Sequence, residues 1–137
     1  MKNILTAIYS KFSGSELSSY VGGRIYLDQA PDNCEFPYVV YFVVSSTPDD
    51  AFVKKGQQTL IQVSLFSANP SAVEISTMHG YLKALFDDCS LTITNNTLAW
   101  MHEINLTTMV EDITAGDGVQ SVKHWAADYE VVTQVSS

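Results

Sequence analysis

Gly22-Gly23-Arg24-Ile25-Tyr26-Leu27-Asp28-Gln29-Ala30-Pro31-Asp32-Asn33-Cys34-Glu35-Phe36-Pro37-Tyr38-Val39-Val40-Tyr41-Phe42 decides the fold. The glycine pair stops a helix, and Arg24–Leu27 reads as a short strand. A Pro- and Asp-bearing connection leads from it into a long apolar strand. Pro37 has no N–H to give a sheet ladder, so it belongs at that strand's start. Tyr38–Val44 then runs without a charge, as a strand covered on both faces does. Nothing in the stretch acts as a nucleophile or holds a metal.

Upstream, Ile4, Leu5, Ile8 and Phe12 have the spacing of an amphipathic helix over Met1–Phe12. Ser13-Gly14-Ser15 breaks it, and Leu17, Tyr20 and Val21 predict one more turn. Downstream, Tyr38–Ser45 and Thr59–Phe66 are strands joined by Ser46–Gln58. Thirteen residues is long for a hairpin loop. Asn69–Glu74 opens a second helix, capped either by Asn69 with Pro70 at the first position or by a Ser71/Glu74 box. Ile75, Met78, Leu82, Leu85 and Phe86 form its apolar stripe. Asp87-Asp88 end it against the helix dipole, so something nearby should offset them. Leu91–Thr94 and Leu98–Thr108 read as a hairpin about Asn95-Asn96, with Leu98, Trp100, His102, Ile104 and Leu106 on one face. That hairpin would bring both long loops to one end of the sheet; without it, the helix is a crossover and the loops lie at opposite ends. A second thirteen-residue connection, Met109–Ser121, leads into Val122–Thr133. There Trp125, Ala127, Tyr129 and Val131 point inward, and His124, Asp128 and Glu130 outward.

The expectation is one α/β (α+β) domain over residues 1–137: a mainly antiparallel, four- to five-stranded sheet with two helices packed on one face.

The chain carries 7 basic against 15 acidic residues, a net charge of −8, and its one arginine is Arg24. Gripping phosphates takes clustered Lys and Arg, so direct nucleic-acid binding is not expected. No segment approaches a membrane span, and the start reads as a helix rather than a signal peptide. Cys34 and Cys89 fall outside any Cys-x-x-Cys pattern and read as free thiols. His79, His102 and His124 lie on three elements without ligand spacing. No Gly-x-Ser-x-Gly elbow is present, and the adjacent pairs Asp49-Asp50 and Asp87-Asp88 point apart, so neither is an acid–base couple. Ala115-Gly116-Asp117-Gly118 is a turn rather than a phosphate cradle. Neither catalytic nor metal residues are expected, nor a cofactor.

The order helix, Gly22-Gly23-Arg24-Ile25-Tyr26, Ala30-Pro31, Phe36-Pro37-Tyr38-Val39-Val40-Tyr41, Gln62-Val63-Ser64-Leu65-Phe66, then a helix from Pro70 and a closing strand pair, resembles the bacteriophage tail terminator, or tail completion, family. The resemblance implies a virion protein that forms a homohexameric ring on the head-proximal end of the tail tube. It would end tube polymerisation and join the tail to a head–tail connector or stopper protein. Genome DNA would pass through the lumen without specific binding, and assembly would occur in the host cytoplasm. Alternatives are a head-side stopper or neck ring, a component of a phage-like particle such as a tailocin, or a small ligand-binding or hydrolytic domain. The two long connections are the expected contact sites, through Asp49, Asp50, Lys54, Lys55, Glu111, Asp112 and Asp117.

Overall fold

The computed structural model describes residues 2–49, 56–87, 89–115 and 118–135. Its elements are α1 (Lys2–Phe12), α2 (Glu16–Tyr20), β1 (Ile25–Leu27), β2 (Tyr38–Asp49), β3 (Gly56–Ser67), α3 (Val73–Phe86), β4 (Asn96–Ala115) and β5 (Gly118–Val135). The strands form a five-stranded sheet in the order β1-β2-β3-β5-β4. Only the β1–β2 pair is parallel. The expected sheet-and-helix class is therefore observed.

The decisive stretch folds as its residues dictate. The amides of Gly22 and Gly23 bond back to the carbonyls of Ser19 and Ser18, at 3.3 and 2.8 Å, closing α2 in a Schellman turn. Gly22 takes φ 62°, a left-handed conformation that side chains resist. Pro37 stands just outside β2, with its carbonyl accepting from Arg24 Nε at 3.0 Å.

Both long helices lie on one face. Ile4, Ile8 and Phe12 of α1 and Ile75, Met78, Leu82 and Phe86 of α3 share one cluster with Val39, Tyr41, Val63, Leu65, Ala127 and Tyr129. Phe12 meets Phe86 edge-on at 4.9 Å and Tyr41 at 5.1 Å, so the two helices touch each other as well as the sheet. Trp125 packs against this core, as its alternation requires. Along β2 the covering is incomplete, since Val44 is exposed.

Five expectations need correction. Leu91–Thr94 forms no strand; a single bridge, Ile93 to Asn96, marks the turn at Asn95. Since β3 and β4 both run antiparallel to β5, α3 is a crossover between parallel-running strands, and the β2–β3 and β4–β5 connections lie at opposite ends of the sheet. Most of Ser46–Gln58 and Met109–Ser121 is strand rather than loop. On β4, bulges between Leu98 and Trp100 and between Glu103 and Asn105 reverse the alternation, because each extra residue flips the remainder of the strand to the other face. Met101 is thereby buried, while Trp100 and Ile104 stay exposed, contrary to the single face expected. Finally, neither proposed cap of α3 forms: Ser71 Oγ accepts the amide of Val73 at 3.2 Å, and Glu74 receives the Ser67 hydroxyl at 2.7 Å.

Candidate functional site

The residues expected to make outside contacts divide between the two ends. Asp50, Lys54, Lys55 and Asp117 lie outside the described residues. Asp49 closes β2 opposite Gly56. At the far end, Glu111 pairs with His124 Nδ1 at 3.0 Å, and Asp112 accepts the Ser121 hydroxyl at 3.1 Å. The structure therefore does not bring Asp49 together with Glu111 and Asp112. The two ends also differ in form. Gly56 still pairs with Gln134, so the described β2–β3 ladder stays within the span of β5. The β3–β5 ladder ends at Ser67 and Lys123, whereas β4 and β5 stay paired to Ala115 and Gly118. The last five residue pairs, about 17 Å of ribbon, overhang the sheet as a two-stranded arm.

The helix-free face carries polar rows across β3, β5 and β4. Asp128 accepts from Gln62 Nε2 at 3.0 Å and Asn105 Nδ2 at 3.4 Å. Glu130 bonds Gln58 and faces His102 Nε2 at 3.5 Å. Neutral amides satisfy both carboxylates without cancelling Asp128, so this side of the sheet stays acidic.

Above those rows, a cleft of about 530 Å³ opens between the segment around Asp28–Cys34 and the sheet. Its floor is a row of stacked rings: Tyr38 on Phe66 at 4.7 Å and Phe66 on His124 at 4.3 Å. Burial pushes the Tyr38 hydroxyl above its usual pKa, and Cys34 and Glu111 add to the shift. A carboxylate only accepts, so the bond to Glu111 places the hydrogen of a neutral His124 on Nδ1. His124 Nε2 is buried without a protein partner. The Cys34 thiol turns to Tyr26 and its own neighbour's carbonyl, and no hydrogen bond joins it to His124. A thiol and an imidazole thus line one cleft, each bonded to other groups rather than paired as nucleophile and base.

On the helix side, sequence reasoning missed Glu103. Its carboxylate, with the side chain 10% exposed, takes His79 Nε2 at 2.7 Å and Lys83 Nζ at 3.1 Å. Lys83 also reaches Asp87 at 2.9 Å, and the Glu103 amide donates to Asp87 at 2.9 Å. These contacts offset Asp87 at the end of α3; Asp88 lies outside the described residues. Burial works to raise the Asp87 pKa, but the Glu103 amide and Lys83 prevail and hold it below the ordinary carboxylate value. The Asp87 and Glu103 bonds push Lys83 upward. The cluster staples α3 to β4, a structural use of charge. Only the i, i+4 spacing of Lys83 and Asp87 could have signalled it.

Among the described residues, no group of three His, Cys, Asp or Glu side chains is placed to hold a metal ion. No helix among them is long and apolar enough to cross a membrane.

Val73 at the start of α3 and Tyr20 on α2 are exposed, and further exposed apolar surface lies at the two lateral edges. β4 borders the sheet with Ile104 and Val110 at 51% and 68% exposure. The other border has a largely apolar groove of about 670 Å³ between α1 and β1, lined by Leu5, Tyr9, Leu27 and Tyr41 together with Lys2 and Thr6.

No curated protein matches the sequence. The fold recurs in a chain of the virion of a native gene transfer agent particle, with TM-score 0.70 and 13% identity over 94% of this chain and 92% of that one. A second solved chain superposes with TM-score 0.54 and 14% identity, over 95% and 94% of the two chains. The family model of tail completion protein gp17 matches residues 6–134, a span from the first turns of α1 to the end of β5. The chain therefore belongs to the gp17 family of tail completion proteins, structural components of the bacteriophage virion.

Proposed function

We propose that the protein forms a hexameric ring at the head-proximal end of the tail tube, ends tube polymerisation there, and joins the tail to a head-side connector or stopper. The family match over residues 6–134 carries this reading. The fold suits it: connections at opposite ends of one sheet let a subunit face the tube with one end and the neck with the other. The carboxylates of the helix-free face suit a wall past which DNA slides without sticking. No step of this role is catalytic, and none uses a metal or cofactor. The site of action is the tail–neck junction, after assembly in the host cytoplasm.

The axial contacts are assigned to Asp49, Asp50, Lys54 and Lys55 at one end and Glu111, Asp112 and Asp117 at the other. The lysine pair is the one basic pair in the sequence. Rim charges act mainly on association rate and specificity, so Lys54→Glu with Lys55→Glu should slow docking without unfolding the subunit.

The test is assembly in the absence of the protein, followed by electron microscopy. Tails of uncontrolled length, or tails that fail to join heads until the protein is added, are expected. Tails of normal length that join heads without it would refute the role. The gene transfer agent structure favours a second reading, the equivalent ring of a phage-like particle. Particles that package host rather than phage DNA would select it.

A further inference from the structure

We propose that the subunits of the ring contact each other head to tail through a knob and a groove at the two lateral edges of the sheet: the bulged Ile104 of one copy enters the α1–β1 groove of the next. The inference rests on the ring reading above and adds the surface that closes it.

Three observations converge. First, the two edges are different and complementary. One presents a 51% exposed isoleucine, the other a groove whose apolar wall is Leu5, Tyr9, Leu27 and Tyr41, with Lys2 and Thr6 beside them. Closed rings need this heterologous arrangement, in which two unlike patches meet around an axis. Second, the patches lie at one height. Leu27, Tyr41, Val63, Ala127 and Leu106 form one continuous row across the five strands. Ile104 projects from the bulge between Glu103 and Asn105, whose partners Tyr129 and Asp128 stand two residues and one residue from Ala127 in that row. Rotation about an axis along the strands preserves height, so the knob of one copy arrives level with the groove of the next. Third, β4 is shaped for side-chain contact rather than strand addition. Its two bulges interrupt the outer ladder around Ile104, a device that keeps an edge from accepting another strand. An exposed, branched apolar side chain there gains by entering a groove.

Disulfide capture tests the assignment. In a background with Cys34→Ser and Cys89→Ala, the single variants Leu27→Cys and Ile104→Cys are mixed and oxidised under assembly conditions. Cross-linked dimers should form in the mixture and not with either variant alone, and the double variant should give a ladder ending at six copies. Separately, Ile104→Lys should weaken self-association by roughly tenfold or more, since it brings a second cation to a largely apolar groove that Lys2 already borders, while leaving the subunit's fold unchanged. Light scattering on the parent chain, free and on tail tubes, separates the possible failures. A ring without the mixed cross-link, or one untouched by Ile104→Lys, overturns this interface and leaves the ring standing. A chain that never forms a ring overturns both. Cross-links in the Leu27→Cys sample alone would mean an isologous dimer and would also overturn it.

Discussion

The two faces of the sheet use the same strands for opposite purposes. On β3, Ile61, Val63 and Leu65 point under the helices and are wholly buried, while Gln62 on the other side bonds Asp128 and lies beside the cleft. On β5, Ala127, Tyr129 and Val131 join the core, and Asp128 and Glu130 hold the polar rows. Alternation at one-residue intervals therefore separates what holds the subunit together from what it offers to others. The separation is incomplete, since Ala126 and Val132 are buried on the helix-free side and one carboxylate points to the helix side. Glu103, opposite Tyr129, puts a carboxylate on the helix side and needs His79 and Lys83 to satisfy it.

The comparison breaks most simply if the two faces cost the same to damage. Leu65→Ala leaves a cavity beneath both helices and should lower stability by about 2–5 kcal/mol. Gln62→Ala, on the other face, removes one hydrogen bond beside solvent and should cost about 1 kcal/mol or less. Urea unfolding followed by tryptophan fluorescence measures both. Equal losses would mean that the helix-free face is part of the core.

The exception at Glu103 supplies the next largest effect. Glu103→Gln keeps the volume but removes the charge that His79 and Lys83 share, so it should cost about 1–3 kcal/mol. Asp87 belongs to the same cluster, and its pKa is held below the ordinary value. A lowered folded-state pKa adds stability above the unfolded value, and that stability disappears as the pH falls through the folded one. The melting temperatures of the parent and Asp87→Asn should therefore differ at neutral pH and converge below about pH 4. A gap that persists in acid would assign the effect to packing instead.

Gly22 sharpens the comparison from outside the sheet, because it belongs to neither face. An added Cβ would meet Arg24 Nη1 at 2.9 Å, at a φ that side chains resist. Gly22→Ala should cost about 1 kcal/mol through the backbone alone. A neutral result in thermal unfolding would show that the turn after α2 readjusts.

Much of this architecture is legible in the sequence because each decisive signal is local. The period-2 pattern of Ile61-Val63-Leu65 and Trp125-Ala127-Tyr129-Val131 fixes which face meets the helices, and the spacing of α3 fixes its stripe. The misses involve information the local pattern lacks. Leu-Thr-Ile-Thr alternates like a strand, but at Leu91–Thr94 the chain is still crossing from α3 to the far edge, and only one bridge forms. The β4 bulges carry no Gly or Pro to announce them, so every face assignment after Leu98 needed the pairing with β5. The two charged connections read as loops because polar residues dominate them, yet their described ends continue the β2–β3 and β4–β5 ladders. The aromatic row was unreadable for a different reason: Tyr38, Phe66 and His124 are far apart in sequence and meet only through register.

The smallest expected effect tests whether every polar atom on the helix face has a purpose. The Tyr129 ring packs edge-on to Phe86 at 5.9 Å, but its hydroxyl is buried with no protein partner. Burial pushes that phenol's pKa upward, and the nearby Glu103 and Asp87 carboxylates push it further, so the group stays neutral over the whole working range. A neutral hydroxyl without a partner contributes nothing that its desolvation does not offset. Tyr129→Phe keeps the ring and its packing and deletes only that oxygen. It should leave stability unchanged or raise it by up to about 1 kcal/mol, unlike the truncation of a fully buried apolar side chain such as Leu65. A loss of more than about 1 kcal/mol in calorimetry would mean that the hydroxyl has a partner, such as an ordered water shared with Glu103. The polar network that staples α3 to β4 would then extend into the centre of the core.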